Sequence, residues 1–103
     1  MSNLYDSEDI KKLPKVGAGA PEAWKGFLAF DKAALADGVI PKKYKELMAL
    51  AVGLTTQCPY CLLVHKEAAV KAGATPEEIS ETIFVAAALR AGAAVTHGTH
   101  LVE

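Results

Sequence analysis

Apolar positions along this chain recur at three- and four-residue intervals, and nowhere do they alternate with polar ones in a sustained way. No Asn-Gly or Asp-Gly pair sits between alternating runs as a hairpin turn, whereas helix punctuation recurs, so the pattern predicts an all-α protein with about five main helices. Residues 1–20 read as an irregular lead-in with a short helical turn near Ser7 to Lys12, ending in Val16-Gly17-Ala18-Gly19. Pro21 then stands at a first helical position, and Glu22 to Ala36 carry Trp24, Phe27, Leu28, Ala34 and Leu35 at helical spacing. Asp37-Gly38 closes that helix.

Pro41 opens the next helix, which is expected to run to Gly53 or Thr55. From Leu47 onward it is apolar on every face, which predicts the central, buried helix. After the Thr55-Thr56-Gln57 break, Pro59 suits a first helical position, making Cys58 the N-cap and Cys61 the third residue. Gly73 is the expected stop. Thr75-Pro76-Glu77-Glu78 forms a capping box opening a helix through Ile79, Ile83, Phe84 and Val85. Gly92 predicts a kink or break before a last helix with Val95, His97, His100 and Leu101. No linker or repeat divides the chain, so the expectation is one domain over residues 21–103 behind the lead-in.

The composition is 51% apolar and rich in alanine in only 103 residues. So small a domain has too little interior to hide that much apolar surface, which predicts a homo-oligomer. The net charge of -1, with lysines spread out or interleaved with glutamates, gives no electrostatic case for nucleic acid. Met1 to Asp6 is polar and acidic, unlike a signal peptide, and the run Leu47 to Leu54 is far too short to span a bilayer. The expectation is a cytoplasmic protein bound to neither membrane nor nucleic acid.

The only two cysteines stand in Cys58-Pro59-Tyr60-Cys61, with His65 four residues after the second. At a helix start, their Cα atoms lie roughly 5–6 Å apart, within the range a disulfide accepts. The free N–H groups of a first turn stabilise a thiolate. His65 falls one turn beyond Cys61 on the same face, where it can take the thiol proton directly or through a water. Taken singly, each of these residues reads more simply as core. Together, at this spacing, they point to redox chemistry. A metal site is the rival, since C-x2-C-x3-H offers three ligands and His97 or His100 a fourth, but three ligands within two turns crowd a tetrahedron. Glu46 opens the apolar run; by spacing alone it belongs on the surface with Lys42, Lys43 and Lys45, and if drawn inward its pKa would rise.

The pattern Glu46, Cys58-Pro59-Tyr60-Cys61, His65, then Ala72-Gly73-Ala74-Thr75-Pro76-Glu77-Glu78-Ile79, resembles the carboxymuconolactone decarboxylase family, in particular its alkylhydroperoxidase D-like branch. Gly38 to Leu47 fits as well, and the likeness spans roughly residues 20 to 100. It matches Glu46 to the family's catalytic glutamate. It implies a helical alkylhydroperoxidase D-like domain with peroxiredoxin activity and no cofactor or metal. Glu46 and His65 would relay a proton through a water from Cys61, the peroxidatic thiol, and Cys58 would resolve it into a redox-active disulfide. The reductant implied is an external dithiol of lipoyl or thioredoxin type, and the assembly a homohexamer built as a trimer of dimers. N-cap position favours Cys58 as the more acidic thiol, whereas the resemblance and His65 favour Cys61. Tyr60 stands where the best-known hydroperoxidases carry histidine. Lactone-decarboxylating members typically lack the CxxC pair, which weighs against a cofactor-free lyase. A non-catalytic oligomeric redox sensor is the other alternative. His97 and His100 have no family role and default to surface or interface.

Overall fold

All five prolines stand at helix starts, where a fixed φ and a missing N–H cost little. The computed structural model describes residues 6–103; the first five residues of the expected lead-in lie outside these. A 3-10 segment, Ser7–Lys12, leads into α1 (Leu13–Gly19) and α2 (Pro21–Leu35). Then follow α3 (Lys42–Thr56), α4 (Pro59–Lys71), α5 (Pro76–His97) and a 3-10 turn, Gly98–Leu101. The described residues hold five α-helices and no strand, an all-α fold.

Two of the five helices differ from those expected. The lead-in is not irregular after its 3-10 turn: Pro14 starts α1, and Gly17 is buried in it because the Trp24 ring of α2 lies where a Cβ would be. Gly92 does not break the last helix, and α5 runs through it for 22 residues. Its neighbours are alanine, leucine and arginine, strong helix formers that outweigh the roughly 1 kcal/mol a lone helical glycine costs.

The other signals hold. Thr75 and Glu78 close both halves of the capping box, and Gly73 takes φ +101 just after α4. The break before Cys58 is made by Gln57 in the left-handed region at φ 56. Asp37 caps α3 through the Lys42 N–H at 2.6 Å.

Helix α3 lies at the centre, packed on α4 and α5 and touched by α2. Leu47, Leu50, Ala69 and Ala74 form the core, with Leu62 and Ile79 against it. Lys43 to Glu78 at 3.0 Å and Arg90 to the Thr55 carbonyl at 2.7 Å tie α5 to α3. The burial of α3 is narrower than its sequence predicts: Met48 and Val52 remain half-exposed, because within one chain only α4 and α5 pack closely on it.

Candidate dithiol site

The turn between α3 and α4 sets the two sulfurs. Gly53 O accepts the Cys58 N–H at 3.0 Å and also the Gln57 N–H, so the chain reverses tightly into α4. Cys58 is the N-cap of α4, and its Sγ accepts the Cys61 N–H at 3.3 Å. Both cysteines are free thiols, partly exposed. The two thiols interact. The Cys61 thiol and N–H both donate to Cys58 and lower its pKa below the ordinary thiol value. Donation to Cys58, together with burial, pushes Cys61 up to about 11. The shared donation thus favours negative charge on Cys58 over Cys61 while both thiols are present.

Gly53 also allows α3 and α4 to approach at this point. A Cβ there would stand 3.1 Å from Cys61 Cβ and 3.4 Å from Leu62 Cδ2. The Cys61 Cβ is fixed to helix backbone and has little room to move aside. Gly53→Ala is therefore expected to destabilise the protein by about 1 kcal/mol net, overpacking outweighing the gain in helix propensity. Urea unfolding measures it, and a variant more stable than wild type would refute the tight contact.

Glu46 is not on the surface, where spacing alone placed it, but 2% exposed. Its Oε1 meets His65 Nδ1 at 2.7 Å, and its Oε2 meets Lys42 Nζ at 2.9 Å. Burial raises the Glu46 pKa, but the hydrogen bonds and charges of Lys42 and His65 outweigh it. The net shift is downward, opposite to the rise expected for an inward carboxylate. An ionised carboxylate only accepts, so Nδ1 of His65 carries a proton, and in the neutral ring the free lone pair is therefore on Nε2.

The structure thus brings Glu46 and His65 into direct contact, and Cys58 and Cys61 into another. Among the described residues the His65 ring has no hydrogen bond to either sulfur, although Cys61 precedes it by one turn on α4. Tyr60 borders a shallow cleft with Asp9, Ile10 and Leu13, so the N-terminal segment covers the start of α4. His97 and His100 pair edge to face, ring centroids 5.1 Å apart, on the C-terminal end of the chain. No group of three His, Cys, Asp or Glu side chains gathers as a metal set among the described residues. Sequence reasoning missed Lys42 and Gly53. The Lys42–Glu46 spacing of four was a readable signal for the first; nothing in the sequence marked the second.

The sequence model of the carboxymuconolactone decarboxylase family matches residues 21–103, and the chain belongs to that family. It is 47% identical over 91 residues to uncharacterized protein 4 in the cox locus of Paracoccus denitrificans, covering 88% of this chain and 79% of that protein. An uncharacterized Haemophilus influenzae protein is 39% identical over 99 residues, covering 96% and 88%. Among solved structures, an apo carboxymuconolactone decarboxylase family protein from Legionella pneumophila is 39% identical with a TM-score of 0.75, over 81% of this chain and 75% of that one. A protein from Methanobacterium thermoautotrophicum superposes with a TM-score of 0.81 at 29% identity, over 87% and 98%.

Proposed function

We propose that this chain is a thiol-dependent peroxidase that works through a Cys58–Cys61 dithiol in a reducing cytoplasm. The observation that supports it most is the buried Glu46–His65 dyad, whose histidine shares a helix with both sulfurs. An ionised carboxylate holding Nδ1–H leaves Nε2 as a base, the arrangement that thiol activation needs. Cys61, one turn before that base, gives up its proton, and its sulfur attacks one peroxide oxygen. The O–O bond breaks, Cys61 becomes a sulfenic acid, and the other oxygen leaves as an alcohol once protonated. Cys58, already the more acidic thiol, displaces the sulfenic oxygen as water and forms the disulfide. An external dithiol returns the pair to its starting state.

The test is consumption of an organic hydroperoxide with a lipoyl-type or thioredoxin-type dithiol. It is expected to stop when both thiols are alkylated and in Cys61→Ser. Turnover of a lactone carboxylate that survives alkylation would instead favour the family's lyase chemistry.

The reading includes a homo-oligomer, a hexamer by family likeness. The chain exposes 8061 Å², whereas a folded monomer of its mass exposes roughly 5,500 Å². The excess, roughly 2,500 Å², equals about three standard interfaces at about 800 Å² per partner. The radius of gyration, 16.6 Å, also exceeds the roughly 13 Å of a compact domain this size. No residue of α5 after Ala86 is buried, and Phe84, Leu89 and Val95 stand largely exposed. Sedimentation equilibrium is expected to find an assembly larger than a dimer, and Leu89→Glu a smaller one. A stable monomer would refute it.

A further inference from the structure

We infer that Lys42 is a positioning residue for the proton relay, holding the Glu46 carboxylate ionised and turned toward His65. This rests on the peroxidase reading above and adds a residue to it. Lys42 Nζ lies 2.9 Å from Glu46 Oε2 and 3.3 Å from the Leu35 carbonyl, while the opposite carboxylate oxygen faces His65 Nδ1. The ammonium thus bridges the end of α2 to a buried acid on α3. Its backbone is pinned as well, by the Lys42 N–H to Asp37 Oδ1 bond at 2.6 Å.

The charged and titratable groups set against Glu46 are Lys42 from its own helix and His65 from α4. From α5, the first-turn Glu78 is engaged by Lys43 instead. Glu46 is 2% exposed, so without Lys42 its charge would rest on a single histidine. A buried carboxylate short of partners takes up a proton. A protonated Glu46 no longer favours the tautomer that frees Nε2. Lys42 itself is partly exposed, its side chain 44% accessible, so it reaches the buried carboxylate from the surface of the chain. The function of Lys42 in this reading is the protonation state of a carboxyl group it touches, not contact with peroxide.

The test uses the full chain with Lys42→Met and Lys42→Arg. In Lys42→Met, turnover at neutral pH is expected to fall about tenfold, within what a general base contributes. The acid limb of the pH–rate profile is expected to move to higher pH, because Glu46 then gains its proton earlier on acidification. Lys42→Arg is expected to restore both. Infrared spectra of glutamate-labelled protein supply a readout independent of peroxide: the protonated-carboxyl band assigned by its loss in Glu46→Gln should appear at higher pH in Lys42→Met than in wild type. If that band and the acid limb stay put in Lys42→Met, the inference is overturned. If the band moves but wild type consumes no peroxide, the peroxidase reading fails while the role of Lys42 stands. Should Lys42→Met not fold, Lys42→Gln, which keeps a donor without the charge, carries the same two measurements.

Discussion

Cys61→Ser is expected to abolish peroxide turnover, a loss of about a thousandfold or more, as for removal of an enzyme nucleophile. Cys58→Ser is expected to stop turnover too, yet to keep one chemical event. The two variants differ because the thiols are coupled. Donation to the Cys58 sulfur is the main reason Cys61 is held at about 11, so removing that sulfur makes Cys61 more acidic. One equivalent of hydroperoxide should then leave a sulfenic acid on Cys61, trapped by dimedone and located by mass spectrometry, with no disulfide. In Cys61→Ser the backbone N–H at position 61 still reaches Cys58 and favours its thiolate, so Cys58 is expected to react with iodoacetamide. It should not form a sulfenic acid at a catalytic rate, because in the proposed relay His65 takes the proton from position 61. Dimedone labelling of Cys58 in Cys61→Ser at the wild-type rate would reverse the order of attack.

Glu46→Gln should be the second large effect, slowing turnover by about a hundredfold to a thousandfold, the range of lost general-base assistance. A neutral amide can donate to Nδ1 and so invert the tautomer, moving the ring proton to Nε2. It also gives no countercharge to the imidazolium that the proposed proton transfer from Cys61 would form. Stability should fall as well, by about 1–3 kcal/mol near neutral pH, since Lys42 and His65 lose a charged acceptor. Glu46 has its pKa lowered on folding, so the stability it contributes is present above the ordinary carboxylate range and is lost as the pH falls through the folded value. The difference between wild type and Glu46→Gln should therefore shrink on acidification. Urea unfolding at one protein concentration, at about pH 7 and about pH 4, measures it. A difference that grows on acidification would contradict the ion pair.

Helix starts were legible because their determinants are local. Pro59 with Cys58, Pro76 with Thr75 and Glu78, and Gly73 after α4 each act within four residues of one another, and each stands where its spacing places it. Pro14 carried the same kind of signal for α1, but a segment closed by two glycines read as irregular. Gly17 is explained only by Trp24, whose ring fills the place of its side chain. Gly92 misled in the other direction, since a lone glycine costs less than the alanine-rich helix around it recovers.

The sequence by itself determined the all-α class, the CxxC pair on a first helical turn and the excess of apolar surface. Each depends on neighbours in the chain or on composition. Only the tertiary structure decided that Glu46 turns inward, that it grips His65 nineteen residues away, and that two other groups outweigh burial to keep it ionised. It also decided that Gly53 lets α3 and α4 close on Cys61. The physical reason is that burial and pairing belong to two helices at once. A carboxylate at a helix start is as well solvated outside as it is bonded inside, until the partner helix supplies the imidazole.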